Sequence, residues 1–165
     1  MALKIAEPDN VFVSLGNHET LTVGKLQFFK ESVKKYGNDE FFRLAHHLFK
    51  SFPVSFLLED EIFITHGGLS PFLRLERIRM IDRLYPSQED TDIINDLTWS
   101  DPVDHYGIFE SQRGLGYLFG PDISKDFIRF NNISAIIRSH QYKESGYSEQ
   151  HDALCLTVFS CPNYR

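Results

Sequence analysis

The stretch Val11–Thr20, VFVSLGNHET, decides how this chain is organised. Its first three residues, VFV, form an apolar run typical of a buried strand, and Gly16 allows the backbone to turn sharply after it. Asn17, His18 and Glu19 follow directly, and α/β proteins place binding groups on such loops at strand ends. Taken alone, the stretch fits a polar turn with local hydrogen bonds better. Together with three similar stretches later in the chain, it predicts a binding site.

Three later stretches repeat this arrangement of a strand-like apolar run that leads into a polar loop. They are Glu61–Thr65 before His66-Gly67-Gly68, Ser134–Arg138 before Ser139-His140-Gln141, and Ala153–Phe159 before Ser160–Tyr164. If the strands lie in one layered core with like ends together, Asn17, His66 and His140 converge. An amide oxygen and two neutral imidazoles suit a borderline divalent cation such as Mn, Fe or Zn. The residues therefore predict a three-ligand metal site, with no ligand assigned to its remaining positions.

The composition limits the classes of function that fit the chain. At 165 residues with 42% hydrophobic residues, one domain with a single core is the default. A net charge of −6 argues against a general nucleic-acid binder, because phosphate backbones require a basic surface. Cys155 and Cys161 show no C-x-x-C spacing, and we interpret them as free thiols of a reducing compartment. We expect neither a signal peptide nor a membrane span, and we expect a cytoplasmic or nuclear location.

Apolar periodicity and turn residues predict the elements around the loops. Helices are expected over Lys25–Tyr36, over a segment capped by Asn38 or Asp39 and closed by Pro53, over Leu73–Leu84, and over Ile123–Phe130. Val54–Leu58 and Ile62–Thr65 flank Glu59-Asp60, which predicts a hairpin. Pro86–Asp92 is expected to be a polar linker. The arginines of the third helix are expected to form a solvated face.

The segment Gln112–Gly116, QRGLG, is glycine-rich. Its spacing is neither that of the P-loop nor that of the dinucleotide fingerprint. Arg113 could clamp phosphate oxygens in a bidentate manner, although a surface arginine is the simpler interpretation without further context. Trp99 beside a Ser-Asp-Pro turn is interpreted as a side chain packed under a loop.

Six motifs occur in a fixed order along the chain. They are GNHE (16–19), HGGLSP (66–71), LTWSDP (97–102), RGLGYLFGPD (113–122), RSHQ (138–141) and TVFSCPNY (157–164). This ordered set closely resembles the calcineurin-like phosphoprotein phosphatases, the metal-dependent serine/threonine protein phosphatases, and it spans nearly the whole chain. The Gly-Pro-Asp and Arg-Ser-His sequences within these motifs are similar to those of the family branch that is fused to helical-repeat domains.

The resemblance implies a fold, a reaction and partners. The fold is α/β and layered, a metallophosphatase-type two-sheet β-sandwich flanked by helices, and residues 1–165 would be a partial catalytic domain whose N-terminal strands are missing. The reaction is hydrolysis of phosphoserine or phosphothreonine, in which a hydroxide bridging two metals attacks phosphorus. The implied partners are a phosphoprotein substrate and regulatory subunits or a fused helical-repeat domain. Neither nucleic acid nor a membrane is expected as a partner.

The resemblance also implies roles for individual residues. Asn17, His66 and His140 would ligate one metal of a two-metal centre. His18 would protonate the leaving serine or threonine oxygen, since an alkoxide needs a proton near neutral pH.

On the substrate side, the resemblance implies that Arg113 holds the phosphate and that Tyr164 and Asp101 line the substrate cleft. The chain also departs from the family. Leu15 stands where an arginine is usual, and the family motifs G-D-x-H-G and G-D-x-V-D-R-G, which supply the other metal ligands, would precede residue 1. At most one three-ligand half-site is therefore expected, and we predict little or no phosphatase activity for the 165-residue chain.

Two other functions are compatible with these residues. A non-catalytic pseudophosphatase that binds phosphoprotein or a regulatory subunit would explain the missing motifs, but it would not explain why His18 and Arg113 are present. A small structural-metal domain would leave Arg113 and the cleft motifs unexplained.

Overall fold

The computed structural model describes residues 1–164, and within them two β-sheets are flanked by helices. The helices are α1 (Ala2–Ala6), α2 (Leu21–Gly24), α3 (Phe28–Tyr36), α4 (Glu40–Phe49), α5 (Leu75–Arg79), α6 (Gln88–Trp99) and α7 (Pro121–Asn131), and a short 3-10 helix covers Asn17–Glu19. The strands are β1 (Ser55–Leu58), β2 (Ile62–Thr65), β3 (Asp101–Pro102), β4 (Ile108–Glu110), β5 (Tyr117–Phe119), β6 (Ala135–Arg138), β7 (Tyr147–Gln150) and β8 (Cys155–Val158). The predicted α/β architecture with two sheets is confirmed.

The larger sheet has the strand order β1-β2-β6-β8-β7. Its central strands β2, β6 and β8 run parallel to one another, and β1 and β7 are antiparallel to their neighbours at the two edges. The smaller sheet has the order β3-β5-β4. Because β2, β6 and β8 are parallel, the loops that follow them leave the same edge of the larger sheet.

The core lies beneath the central strands. Phe63 of β2, Ile136 of β6 and Cys155 of β8 are fully buried. Phe63 packs against Phe127 of α7 with 5.0 Å between the ring centroids. Burying a side chain of this size stabilises the fold by about 1.5–3 kcal/mol, so these contacts hold the strand ends in a fixed arrangement.

Several predicted elements are confirmed. The helix predicted before Gly37 starts later than expected, at Phe28, and it ends at Gly37, whose φ of 77° favours glycine. The next helix, α4, begins where Asn38 Oδ1 accepts a hydrogen bond from Glu40 N at 3.0 Å. The hairpin of β1 and β2 and the helix before Asn132 also form as predicted.

The two cysteines are free, as predicted. Cys155 is buried, and burial raises the pKa of its thiol to about 11. Cys161 is exposed. No helix within residues 1–164 combines the length and the apolar character that crossing a bilayer requires.

The turn of the β1–β2 hairpin contains two residues in the left-handed region. Glu59 has a φ of 52° and Asp60 a φ of 57°. Glu61 N donates to Leu58 O at 3.0 Å, so Glu59 and Asp60 are the two central residues of a tight turn, and positive φ at both positions favours Asn-Gly.

Replacing Glu59 by Asn and Asp60 by Gly together is expected to stabilise the chain by about 1 kcal/mol, because the left-handed strain is relieved. Urea denaturation followed by circular dichroism measures the change in the free energy of unfolding. Glu61→Gln removes a neighbouring exposed charge outside the two turn positions and is expected to have no effect. An equal gain in this control would show that charge, not turn geometry, limits stability.

The strand predicted at the start of the opening stretch is wrong. Residues 11–13 lie outside both sheets, and Phe12 is 64% exposed. The segment contacts the loop before β1 through Leu15 N, which donates to Pro53 O at 2.8 Å. A strand needs a row of such ladder bonds. The ring of Phe12 instead packs on Phe56 with 5.6 Å between the centroids.

The helix predicted over Leu73–Leu84 is much shorter, since α5 covers Leu75–Arg79. The carboxylate of Asp82 accepts hydrogen bonds from Leu84 N and Tyr85 N at 2.9 Å each, and this local turn competes with helix formation.

The linker predicted over Pro86–Asp92 is also wrong, because α6 already begins at Gln88. Ser87 caps this helix: its Oγ accepts a hydrogen bond from Asp90 N, and the Asp90 carboxylate accepts one from Ser87 N. This capping box, in which an aspartate takes the place of the usual Glu or Gln, marks a helix start inside a polar stretch.

Three of the four arginines predicted to form a solvated face contact neighbouring elements, and only Arg79 is exposed as predicted. Arg77 Nη2 lies 2.8 Å from Asp90 Oδ1, and the guanidinium of Arg74 lies 4.2 Å from the ring centroid of Phe130. Arg83 donates to the carbonyl of Phe52. These arginines connect α5 and its flanking loop to neighbouring elements.

The strand predicted over Ala153–Phe159 begins later, at Cys155. His151, Asp152 and Ala153 all have positive φ angles near 60°, so they form the turn between β7 and β8.

Candidate metal and phosphate site

Parallel strand pairing brings two histidine loops together. His66 follows the last residue of β2, and His140 lies two residues beyond the end of β6. Ser139 N donates to His66 O at 3.0 Å, which continues the pairing of the two strands into their loops. The imidazole centroids of His66 and His140 lie 5.1 Å apart as a result.

The amide of Asn17 joins this pair. Its Oδ1 lies 3.0 Å from His66 Nε2, and the residue is buried. The short 3-10 helix that carries Asn17 is held by Glu19 Oε2, which accepts from Gly16 N, and by Thr20 Oγ1, which donates to Asn17 O. The three side chains predicted to converge are therefore neighbours, and their role as metal ligands stays a prediction.

Both imidazoles are held in the neutral form. Burial lowers the pKa of His66 to about 3 and the pKa of His140 to about 4. The positive charge of Arg138 contributes to both of these shifts, while the carboxylate of Asp101 opposes them. A neutral imidazole keeps a lone pair near pH 7, which is the form that binds a metal ion.

The separation of one pair of these atoms matches that of two ligands of one divalent cation. Two ligand atoms that each lie about 2.1 Å from an ion, at roughly right angles, are about 3 Å apart. Asn17 Oδ1 and His66 Nε2 have this separation, 3.0 Å. His140 Nε2 is buried without a hydrogen-bond partner among the described residues, which is unusual for a buried polar atom. A cation would give His140 Nε2 a partner, whereas Asn17 Oδ1 and His66 Nε2 already form a hydrogen bond with each other.

A purely His, Cys, Asp and Glu site is not seen. No group of three or more such side chains in residues 1–164 could hold a metal ion. Within the described residues the candidate site would therefore depend on an amide, that of Asn17, as its third donor.

The loop after β2 packs directly on the end of α6. Gly67 N donates to Leu97 O at 2.7 Å, and a Cβ at Gly67 would lie 2.5 Å from the carbonyl carbon of Thr98 and 2.6 Å from Trp99 N. Both of these atoms belong to backbone that cannot easily move, so glycine is required here. The close approach places the ring of Trp99 5.6 Å from that of His140, which agrees with a tryptophan packed under a loop.

Arg113 is held beside the histidines by Asp101. Arg113 Nε donates to Asp101 Oδ2 at 2.9 Å, and the Arg113 side chain is 44% exposed. The charge of Arg113 contributes to the lowered pKa of His140, which places it within electrostatic range. Asp101 itself is 3% exposed. It therefore lies beneath Arg113, and its role in the substrate cleft stays a prediction.

Two predicted site residues lie at the margins. His18 is exposed next to Asn17, and its charge contributes to the lowered pKa values of His66 and His140. Tyr164 follows β8 and is 56% exposed. Its ring stacks on that of Tyr142, with 6.1 Å between the centroids. The roles of His18 and Tyr164 stay predictions.

One buried residue of this region escaped the sequence reasoning. Arg138 is 1% exposed and contacts Asp101, whereas the sequence predicts no role for it beyond its place in the RSHQ motif. Alternate residues of a strand share one face, and Arg138 is in phase with the buried Ile136. A charged residue at the inward position of an apolar strand is the signal that could have identified it.

Neutral imidazoles suited to a cation, beside an arginine suited to an anion, are what a metal-dependent phosphoesterase requires. The profile of the calcineurin-like phosphoesterase family matches residues 1–144. The chain belongs to this family. Divalent metal ions are a general feature that the family implies.

Known relatives are protein phosphatases. The chain is 37% identical over 166 residues to serine/threonine-protein phosphatase T of Schizosaccharomyces pombe, covering 99% of this chain and 35% of that protein. It is 36% identical over 168 residues to the protein of the same name in Trypanosoma brucei brucei, with the same coverage.

A solved structure has the same fold. It is a protein serine/threonine phosphatase from Saccharomyces cerevisiae with similarity to human phosphatase PP5. The TM-score is 0.88 at 35% identity, covering 99% of this chain and 51% of that chain. The chain thus spans about a third of the length of the curated relatives that it matches, and about half of the solved one.

Proposed function

We propose that the chain carries part of the catalytic site of a metal-dependent protein serine/threonine phosphatase. The observation that supports this most directly is the cluster of Asn17, His66 and His140, with 3.0 Å between Asn17 Oδ1 and His66 Nε2. Residues 1–165 would form part of the catalytic domain. The substrate would be a phosphoserine or phosphothreonine protein.

Each side chain has a task in this proposal. Asn17, His66 and His140 hold a borderline divalent cation, Mn, Fe or Zn. When bound, such a cation supplies a Lewis acid that draws charge from the phosphoryl oxygens and activates water for attack on phosphorus. Arg113 holds the phosphate through its guanidinium. His18 donates a proton to the leaving serine or threonine oxygen.

The proposal extends to setting and partners. Two free thiols support a reducing compartment, and we propose the cytoplasm or the nucleus. Regulatory subunits or a helical-repeat domain would accompany the catalytic domain in the whole protein. The two other metal motifs of the family do not occur within residues 1–165, so we expect the 165-residue chain alone to turn over substrate slowly or not at all.

Phosphate binding tests the site without requiring turnover. Titration calorimetry with inorganic phosphate on the Mn-loaded chain is expected to show binding that Arg113→Ala weakens about tenfold, because a charge-assisted contact to the anion is lost. Arg129→Ala is the control, since Arg129 is exposed on α7 and pairs with Asp126. A phosphate affinity that changes neither when Mn is removed nor in Arg113→Ala would contradict the proposed site.

Turnover separates the enzyme from a binding protein. A phosphoserine peptide is incubated with the Mn-loaded chain, and released phosphate is measured. Brisk turnover that His18→Ala abolishes would overturn the expected inactivity of this chain and would establish His18 as the acid. Binding without turnover in the whole protein would favour the pseudophosphatase.

A further inference from the structure

Arg138, the last residue of β6, has all of its guanidinium nitrogens engaged in the interior. Its Nε donates to Gly67 O at 2.6 Å and its Nη1 to Gln141 Oε1 at 3.0 Å. Its Nη2 donates to Ser100 O at 3.0 Å and to Asp101 Oδ1 at 2.6 Å. Burying a guanidinium is costly unless its donors are satisfied and its charge is paired, and both conditions are met here.

The acceptors of these bonds lie on three separate loops of the site. Gly67 is adjacent to His66 after β2, and Gln141 is adjacent to His140 after β6. The third is the junction between α6 and β3, which contains Ser100 and leads directly into Asp101, the first residue of β3. One side chain therefore links both histidine loops to the loop that supports the phosphate-binding arginine.

Asp101 divides its two oxygens between two arginines. Its Oδ1 accepts from Arg138, and its Oδ2 accepts from Arg113 Nε at 2.9 Å. The position of the carboxylate thus sets the direction of the Arg113 guanidinium. Because two guanidiniums share one carboxylate, the group keeps a net charge of about +1, which favours an anion at the exposed end of Arg113.

We propose that Arg138 is a positioning residue of the phosphate site. Through Asp101 it orients the guanidinium of Arg113, and through its bonds to the histidine loops it fixes that guanidinium relative to the metal ligands. Lysine cannot reproduce this arrangement, because it offers one nitrogen in place of a planar fork of three. The inference rests on the proposed function of the same site.

Arg138→Lys tests this role in the Mn-loaded 165-residue chain. Its affinity for inorganic phosphate, measured by titration calorimetry, is expected to fall about tenfold, as is typical when the support of a ligand-binding group is removed. In an Arg113→Ala background the same substitution is expected to change the affinity less than about twofold, because the effect passes through Arg113.

Arg77→Lys is the matched control. Arg77 likewise pairs with a buried carboxylate, at 2.8 Å from Asp90 Oδ1, but at the start of α6. It is expected to lower the melting temperature and to leave phosphate affinity unchanged. An Arg138→Lys chain that behaves like this control, or that loses affinity equally in both backgrounds, would assign Arg138 a structural role alone and overturn the inference.

Two further variants distinguish a failure of the proposed function from a failure of this inference. If Arg113→Ala by itself leaves phosphate binding unchanged, the proposed function fails, independently of Arg138. If Arg138→Lys does not fold, Gln141→Ala removes one acceptor and leaves the buried ion pair with Asp101 intact. That variant is expected to weaken phosphate binding about threefold when Arg113 is present, and an unchanged affinity would overturn the inference.

Discussion

His66→Ala is expected to weaken Mn binding by the chain about 100-fold. His66 neighbours both other side chains: Asn17 Oδ1 lies 3.0 Å from its Nε2, and the ring centroid of His140 lies 5.1 Å from that of His66. Its removal leaves an amide oxygen and one imidazole, too few ligands for a cation that prefers four or more. Titration calorimetry, or the loss of the free Mn signal in electron paramagnetic resonance, measures the affinity.

The control for this result is His47→Ala, at an exposed histidine of α4. It is expected to leave Mn binding unchanged. Asn17→Asp provides a second comparison, because a carboxylate in place of the amide adds charge for the cation and is expected to strengthen binding. Equal affinities of His66→Ala and His47→Ala would show that the cluster is not the metal site.

The metal-free chain is expected to lose about 2 kcal/mol of stability between pH 6.5 and pH 4.5 through His66 and His140. Burial lowers their pKa values from 6.5 to about 3 and about 4, so below pH 6.5 the unfolded chain binds protons that the folded chain does not. Stability therefore rises with pH across this window and is lost as pH falls. The magnitude allows for screening, since both side chains are partly exposed to solvent.

Urea denaturation in the presence of a chelator, repeated from pH 7 to pH 4.5, measures this loss. His66→Gln removes one of the two titrating groups and is expected to flatten the pH profile by about half. His47→Gln is the matched control at an exposed histidine and is expected to leave the profile unchanged. A wild-type profile that is identical to that of His66→Gln would contradict the neutral state of His66 in the folded chain.

Elements with a strong local signal were predicted well. The hairpin around Glu59-Asp60 and the helix that stops at Gly37 have turn residues and apolar periods that act within a few residues. The polar segment from Pro86 was predicted as a linker, but it contains the start of α6. The capping pair of Ser87 and Asp90 stabilises this helix start although few apolar residues lie there. The opening apolar run failed for a different reason, since a strand depends on partners that the run itself does not supply.

Sequence alone determined the family of this chain and predicted which of its residues carry chemistry. The ordered motifs identified the family. The change from an apolar run to a polar loop predicted His66 and His140 as site residues, because residue type and this change are local properties, whereas the parallel pairing that brings the two loops together is not. Only the tertiary structure decided that Asp101 is buried and shared by two arginines, and that Arg138 joins three loops. Those contacts connect residues up to 71 positions apart, and their energy depends on burial and pairing, which no local pattern encodes.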